Sequence, residues 1–532
     1  MALAYYFFRF YISSPLTWAL PVQFLSSSQC NFLSMASAVG QRGQPVAIHD
    51  HLSVSQSMIV LTIDAEEQGE ITEMASPHHI VLFPFMSKGH TIPLIHLSHL
   101  LFNRGLIITI FTTPSNSPFI RHSLGRTQAT IIDLPFPGDI PQLPAGVEST
   151  DQLPSMDLLL PFLEATKLFQ SHFEKALQNL QGVICIISDG FLAWTQQSAS
   201  KFNIPRVAFY GMNNYSMSIC QTVIRDRPHK GITSNDQPFS LSSLPWLQIT
   251  KNDLSYPFND PDASGPFYDF VKETIEKLSE SYGMIVNDFY ELEPTYTDYW
   301  NCNFKPKAWC VGPLCLAMPC AGIPTKTSIE VQWLDERLSM KRSVLYIAFG
   351  TQAKMQSAQL AEIATGLERS GVDFLWVLKS NEVELGDGFE ERVAGRGLVI
   401  RKWAAQMEIL GHKSVRGFMS HCGWNSVMES VCAAVPILAW PMMAEQHLNA
   451  KMLVEELGIG LRIGAGHGEG GDGLVRSDDV EKMVRELMVG VKGKVVGEKV
   501  KEIGEAARRA MEEGGSSYRT LDLLIDDVCQ KR

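Results

Sequence analysis

Little in this chain points to a metal, a disulfide framework or a membrane. Its ten cysteines (Cys30, Cys185, Cys220, Cys302, Cys310, Cys315, Cys320, Cys422, Cys432 and Cys529) include no CxxC pair and no even ladder. Zinc-ribbon and disulfide-scaffold classes drop out, and reduced thiols in a cytoplasmic setting are expected. His96 and His99 fall one helical turn apart, but with no further ligand at suitable spacing they read as surface histidines and no metal site is expected. The net charge of −12 leaves no basic excess, which argues against nucleic acid or an anionic membrane as partner. Met1–Leu25 is apolar and aromatic, yet Arg9, Pro15 and Pro21 interrupt it. It falls short of the ~20 apolar residues of a spanning helix. No apolar anchor follows the last helical stretch, so stable membrane insertion is not expected.

What is present is globular: 532 residues, 45% hydrophobic and 19% charged, room for two or three domains. Residues 1–73 stand apart. They are Ser- and Gln-rich without a period as far as Ile71, and Met74-Ala75-Ser76 reads as an ordinary start. A disordered or translated upstream extension is expected there, with a signal peptide as the competing reading of its first residues.

From His79 apolar runs of strand length alternate with helical patterns, the signature of parallel sheet with right-handed crossovers. The run Ile80–Pro84 precedes the turn Ser87-Lys88-Gly89-His90 and a helix over Ile92–Phe102, with a strand at Leu106–Phe111. The run Val183–Ile187 ends at Ser188-Asp189 before a helix over Phe191–Lys201. His90 and Asp189 therefore lie at strand carboxyl ends, where open α/β sheets bind their ligands. Together they suit a general base and its orienter; on spacing alone, a helix-capping role for Asp189 competes. Residues 213–265, rich in Ser, Asn, Asp and Pro, read as long loops on an acceptor side. The strand Met284–Asn287 and Trp309–Pro313 complete a first domain over 74–312, and Pro313, Pro319, Gly322 and Pro324 mark 313–327 as a linker. The second domain, 328–513, opens with the strand and glycine turn Ser343–Gln352, followed by strands at Phe374–Leu378 and Leu398–Arg401. The glycine run Gly466–Gly471 satisfies G-x-G-x-x-G only formally and reads as a surface loop. Residues 514–532 are expected to be a last helix returning toward the first domain.

The densest chemistry lies between Trp403 and Gln446. Gly417–Ser420 reads as the end of a buried strand, His421-Cys422-Gly423 as a turn, and Asn425–Cys432 as a helix whose first amides form an anion site. A diphosphate there meets His421, Asn425 and Ser426. Glu429, one turn on, is spaced for a ribose diol, and Trp403 and Gln406 for a base. Glu445 and Gln446 follow a strand at Pro436–Trp440 and either face the sugar or merely open the helix that runs to Glu456.

The order and spacing of these residues resemble the nucleotide-sugar box of plant small-molecule UDP-dependent glycosyltransferases. Two positions depart from it: Ala405, where the family usually has Pro, and Ala434, where it usually has Gly and where a positive φ would be strained. The resemblance implies two facing Rossmann-like domains (the GT-B fold), each a mostly parallel sheet flanked by helices. It implies inverting transfer of glucose from UDP-glucose to a hydroxyl of a small lipophilic acceptor (a flavonoid, another phenolic or a terpenoid), giving a β-glucoside. His90 is then the catalytic base and Asp189 its support. The UDP-sugar falls to Thr351, Trp403, Ala404, Gln406, His421, Trp424, Asn425, Ser426, Glu429, Glu445 and Gln446. No metal and no cofactor are implied, UDP-glucose being a co-substrate, and a monomer with only UDP-sugar and acceptor as partners is expected. The alternatives are a sugar-on-sugar transferase acting on a preformed glycoside and a non-catalytic UDP-sugar-binding protein.

Overall fold

Runs such as His79-Ile80-Val81-Leu82-Phe83 carry no polar alternation, and all five residues are buried, as strands covered on both faces must be. The computed structural model describes residues 78–531, apart from 139, 318–327, 353–354, 379–384 and 465–472. The 1–73 extension, most of the linker and the glycine run Gly466–Gly471 lie outside the described residues.

The first half supplies β1 (His79–Phe83), β2 (Ile107–Thr112), β3 (Ala129–Asp133), β4 (Val183–Asp189) and β5 (Arg206–Tyr210). An antiparallel hairpin of β6 (Phe239–Leu241) and β7 (Leu244–Ile249) follows, then β8 (Gly283–Val286) and β9 (Ala308–Cys310). Without the hairpin these strands form one sheet in the order β3-β2-β1-β4-β5-β8-β9, every pair parallel. The second half supplies β10 (Val344–Ala348), β11 (Asp373–Val377), β12 (Gly397–Ile400), β13 (Val415–Ser420), β14 (Ile437–Ala439) and β15 (Gly460–Arg462). They form a second parallel sheet, β12-β11-β10-β13-β14-β15.

In each sheet the strand order reverses once, between β1 and β4 in the first and between β10 and β13 in the second. Such reversals open the crevices where doubly wound sheets bind ligands. His90 and Asp189 follow β1 and end β4; Thr351 and His421 follow β10 and β13. The helix Ser516–Cys529 places Leu521, Leu524 and Val528 in the core of the first sheet. Ser517 Oγ donates to Gly312 O at 2.5 Å, and Arg104 Nε to Asp522 at 2.6 Å.

Three sequence expectations need correction. Residues 213–265 are not all loop, because they hold the helix Asn214–Asp226 and the hairpin. That helix buries Asn214, Ser216, Ser218 and Thr222 beside its apolar residues; the polar side chains find partners such as Thr297 and Asn449, which hid the apolar period. His96 and His99 are buried rather than on the surface; His99 Nδ1 pairs with Thr127 Oγ1, and burial lowers the His96 pKa to about 4. The helix expected from Phe191 begins only at Thr195, after a turn. Among the described residues no helix is long and apolar enough to cross a membrane.

Candidate active site

The turn after β1 is shorter than its sequence implies. The helix starts at Lys88, with Ser87 extended ahead of it, so His90 rides in the first helical turn. Its Nδ1 meets Asp189 Oδ2 at 2.7 Å. Asp189 is 1% exposed, and its other oxygen accepts the Phe191 N–H at 3.0 Å. Of the two roles that competed on sequence spacing, orienting is the one seen; the second oxygen holds the turn at Phe191, and the helix that starts at Thr195 takes no side-chain cap from Asp189. Arg206 anchors the strand end from below, Nη2 donating to Asp189 O at 3.1 Å and Nε to Ser188 Oγ at 2.7 Å. Phe85 and Phe191 wall the imidazole, with ring centroids 5.3 and 5.1 Å away. Burial pushes the His90 pKa down; the charge and hydrogen bond of Asp189 outweigh it, Glu445 adds to them, and the net shift is upward from 6.5. With Nδ1–H donating to the carboxylate, the neutral ring presents the lone pair of Nε2, which is the form a base requires.

Glu445 belongs to the opposite rim and ends the turn in which Ala444 takes φ +51°. Burial raises its pKa, drawn back in part by its own backbone N–H and by the charge of His90. Gln446 opens the helix Gln446–Lys451, which runs on as a π-helical turn to Glu456. Its Oε1 accepts the Met442 and Met443 amides at 3.0 and 3.1 Å. The acceptor half of this amide is engaged within its own turn.

At the other switch point the His421 ring fills a slot between two glycines. A Cβ on Gly350 or Gly423 would come within 2.7 or 2.5 Å of Nε2, and Gly350 also holds φ +77°. Burial lowers the His421 pKa to about 4, so the ring is neutral and meets an oxyanion as a hydrogen-bond donor. Thr351 lies beside it, half-buried on the rim. Asn425 and Ser426 occupy the first turn of the helix Trp424–Cys432. Trp403 is 72% exposed, a free indole face beside half-buried Ala404.

Several expected roles shift. Trp424 is 2% exposed and its Nε1 donates to Asn287 O at 2.8 Å, so its side chain is core; only its backbone lies at the helix start. Gln406 turns inward instead of toward a base, because Nε2 donates to Glu429 Oε2 at 2.6 Å and Ser426 Oγ at 2.9 Å while Tyr346 OH donates to Oε1 at 3.1 Å. It positions Glu429, whose pKa burial raises to about 7. The Asn425 amide reaches across the cleft to Gly89 O at 2.5 Å. Ala434 does adopt φ +57°, and Cys422 φ +64°; left-handed backbone at non-glycine residues is uncommon and gathers at functional sites.

The residues that sequence reading missed are Phe85, Phe191, Asn287 and Gln352. Gln352 Nε2 reaches Ser87 Oγ and Thr150 Oγ1, each at 3.0 Å, linking the Gly350 loop to the start of the His90 helix. The aromatic neighbours of the His90 and Asp189 motifs were a usable signal; nothing local marked Gln352 as a cross-cleft contact. Among the described residues no group of three or more His, Cys, Asp or Glu is placed to hold a metal.

Comparison with known proteins bears on this geometry. The sequence family described as "UDP-glucoronosyl and UDP-glucosyl transferase" matches residues 323–466, the half carrying the nucleotide end. UDP-glycosyltransferase 90A1 of Arabidopsis thaliana is 45% identical over 472 residues, covering 86% of this chain and 97% of that one. UDP-glucose flavonoid 3-O-glucosyltransferase 7 of Fragaria ananassa is 37% identical over 480 residues, covering 86% and 97%. Among solved structures, Glycyrrhiza uralensis UGT73P12, complexed with glycyrrhetinic acid 3-O-monoglucuronide, superposes with a TM-score of 0.77 at 31% identity, covering 86% of this chain and 96% of that one. Phytolacca americana UGT2, complexed with UDP-2fluoro-glucose and pterostilbene, does so with a TM-score of 0.69 at 26% identity, covering 85% and 99%. The likeness runs through both sheets and both switch points, and at this identity and coverage the chain belongs to the plant UDP-dependent glycosyltransferases of small molecules, with their GT-B fold.

Proposed function

We propose that this enzyme transfers glucose, with inversion, from UDP-glucose to a hydroxyl of a small lipophilic acceptor. His90 Nε2 takes the hydroxyl proton, the oxygen bonds to the anomeric carbon from the face opposite UDP, and the carbon–phosphate-oxygen bond breaks to release UDP. Asp189 stabilises the imidazolium formed in that step. Charge developing on the departing diphosphate is met by His421, Asn425, Ser426, Thr351 and the amides opening the Trp424–Cys432 helix, which do the work a divalent cation does elsewhere. Trp403 stacks on the uracil and Glu429 accepts from the ribose hydroxyls. Glu445 and the Gln446 NH₂ take the sugar.

The observation that carries the reading is the His90–Asp189 pair, 2.7 Å apart at the switch point of the first sheet. An aromatic acceptor is supported by Phe85 and Phe191 around the base and by the pterostilbene bound to the Phytolacca relative. A cytoplasmic site of action is part of the proposal, supported by the described cysteines, which form no disulfide. The test is the purified protein with UDP-glucose and UDP-galactose against phenolic, terpenoid and glycoside acceptors. UDP-glucose should lead in kcat/KM by at least about tenfold, the ~1.4 kcal/mol of one well-formed hydrogen bond. Equal use of both donors would remove the donor assignment, and no turnover on any aglycone would favour the sugar-on-sugar alternative.

A further inference from the structure

The Lys88–Phe102 helix contains Pro93, and the carbonyl four residues before a helical proline loses its usual donor and is pushed outward by the ring. That carbonyl is Gly89 O, on the residue next to the base. It is taken up by the Asn425 Nδ2 of the second domain at 2.5 Å. Asn425 Oδ1 in turn accepts from Asn287 Nδ2 at 3.2 Å, and Asn287 Oδ1 accepts the Leu314 N–H at 2.8 Å. Asn287 lies just beyond β8, is 2% exposed, and takes the Trp424 indole N–H on its own backbone carbonyl.

Both ends of this relay are backbone groups of fixed polarity, a donor at Leu314 and an acceptor at Gly89. Only one orientation of each amide satisfies the whole chain. Asn287 therefore dictates that Asn425 turns its NH₂ toward Gly89. One N–H of that NH₂ holds Gly89 O.

We propose that Asn287 is a positioning residue for the transfer reaction: through Asn425 it clips the turn bearing His90 to the turn that receives the diphosphate, using the carbonyl Pro93 sets free. The inference rests on His90 being the base. Asn287 touches neither substrate nor base, so its loss should act on kcat and leave the KM for UDP-glucose alone.

Asn287→Asp is the sharpest probe. As an ion its carboxylate accepts from Leu314 but has nothing to donate to Asn425, whose amide must flip and present oxygen to Gly89 O. When protonated, the same group carries one donor and one acceptor as Asn does, and burial raises its pKa. At pH 8 kcat should fall about tenfold relative to the unaltered enzyme, with KM for UDP-glucose within about twofold; the deficit should shrink toward pH 6. Pro93→Ala, which hands Gly89 O a helical donor, should lower kcat about threefold with a melting temperature no lower than the unaltered enzyme's. Unchanged kcat in both variants, a deficit equal at every pH, or an equal rise in KM would overturn the clip. His90→Ala assayed alongside separates the two readings. If it is inactive while Asn287→Asp is not impaired, the base stands and the clip fails. If it retains its rate, the base assignment itself has failed.

Discussion

Replacing Asp189 by Asn should harm the enzyme more than replacing it by Ala. Asp189 Oδ1 accepts the Phe191 N–H and Oδ2 receives His90 Nδ1–H at 2.7 Å. In Asp189→Asn the Phe191 donor claims the amide oxygen, so the NH₂ is turned on His90 Nδ1. The imidazole must then accept at Nδ1 and carry its proton on Nε2, the tautomer that cannot take a proton from the acceptor. Asp189→Ala forces no tautomer; it loses the charge-assisted hydrogen bond, worth about 1.5–3 kcal/mol, or roughly 10- to 150-fold in rate. The amide adds the misplaced proton to that loss, and about 10²–10⁴-fold in all is expected, the usual range for general-base catalysis. Both variants leave the buried Arg206 without its neighbouring carboxylate charge, so that cost cancels in the comparison. The assay is single-turnover transfer across pH 5.5–8.5. In the unaltered enzyme the acid limb of kcat/KM should lie above pH 6.5, because the rate needs neutral His90 and its pKa is raised. In both variants the limb should move to lower pH. An Asn variant as active as the Ala variant, or within tenfold of the unaltered enzyme, would refute the reasoning.

Uridine carries the ribose diol without phosphate, so its affinity should report on Glu429. Ionisation of a carboxyl whose pKa burial raises to about 7 should tighten uridine binding between pH 6 and 8, seen by calorimetry, and Glu429→Gln should flatten that rise. Ala434 sits at φ +57°, a left-handed strain of about 1–2 kcal/mol, set against about 0.4–1 kcal/mol of unfolded-chain freedom gained on conversion to Gly. Ala434→Gly should therefore be as stable as the unaltered protein or slightly more so in denaturant titration, whereas Ala434→Val should lose at least about 1 kcal/mol. Chelator should leave turnover unchanged under the proposed reading, in which neutral donors and a helix start meet the diphosphate; loss in EDTA restored by Mg²⁺ would contradict this.

The parts of this molecule legible from the chain are those whose chemistry is local. Buried parallel strands read as apolar runs: β1, β4 and β10 are largely of that kind, while β13 carries the exposed Arg416 and is apolar only toward its carboxyl end. Their carboxyl ends then located His90, Asp189, Thr351 and His421 without any long-range information. The Asn214–Asp226 helix was illegible because its buried face is partly polar, satisfied by Thr297 and Asn449 from far along the chain. Side-chain aim was illegible for the same reason. Residue type marks Gln406 and Trp424 as apt for a nucleotide, but only the fold brings Tyr346, Glu429 and Asn287 close enough to draw them inward. Asn287 itself belongs to no motif of the nucleotide half, and its meaning lies wholly in what stands across the cleft.

The proposed transfer depends most on His90 as the proton acceptor. His90→Ala, purified and given saturating UDP-glucose with the best aglycone from the acceptor panel, should transfer sugar about 10²–10⁴-fold more slowly, while UDP binds with unchanged affinity by calorimetry because the nucleotide end lies on the other sheet. Transfer within a few-fold of the unaltered enzyme, with UDP binding intact, would contradict it.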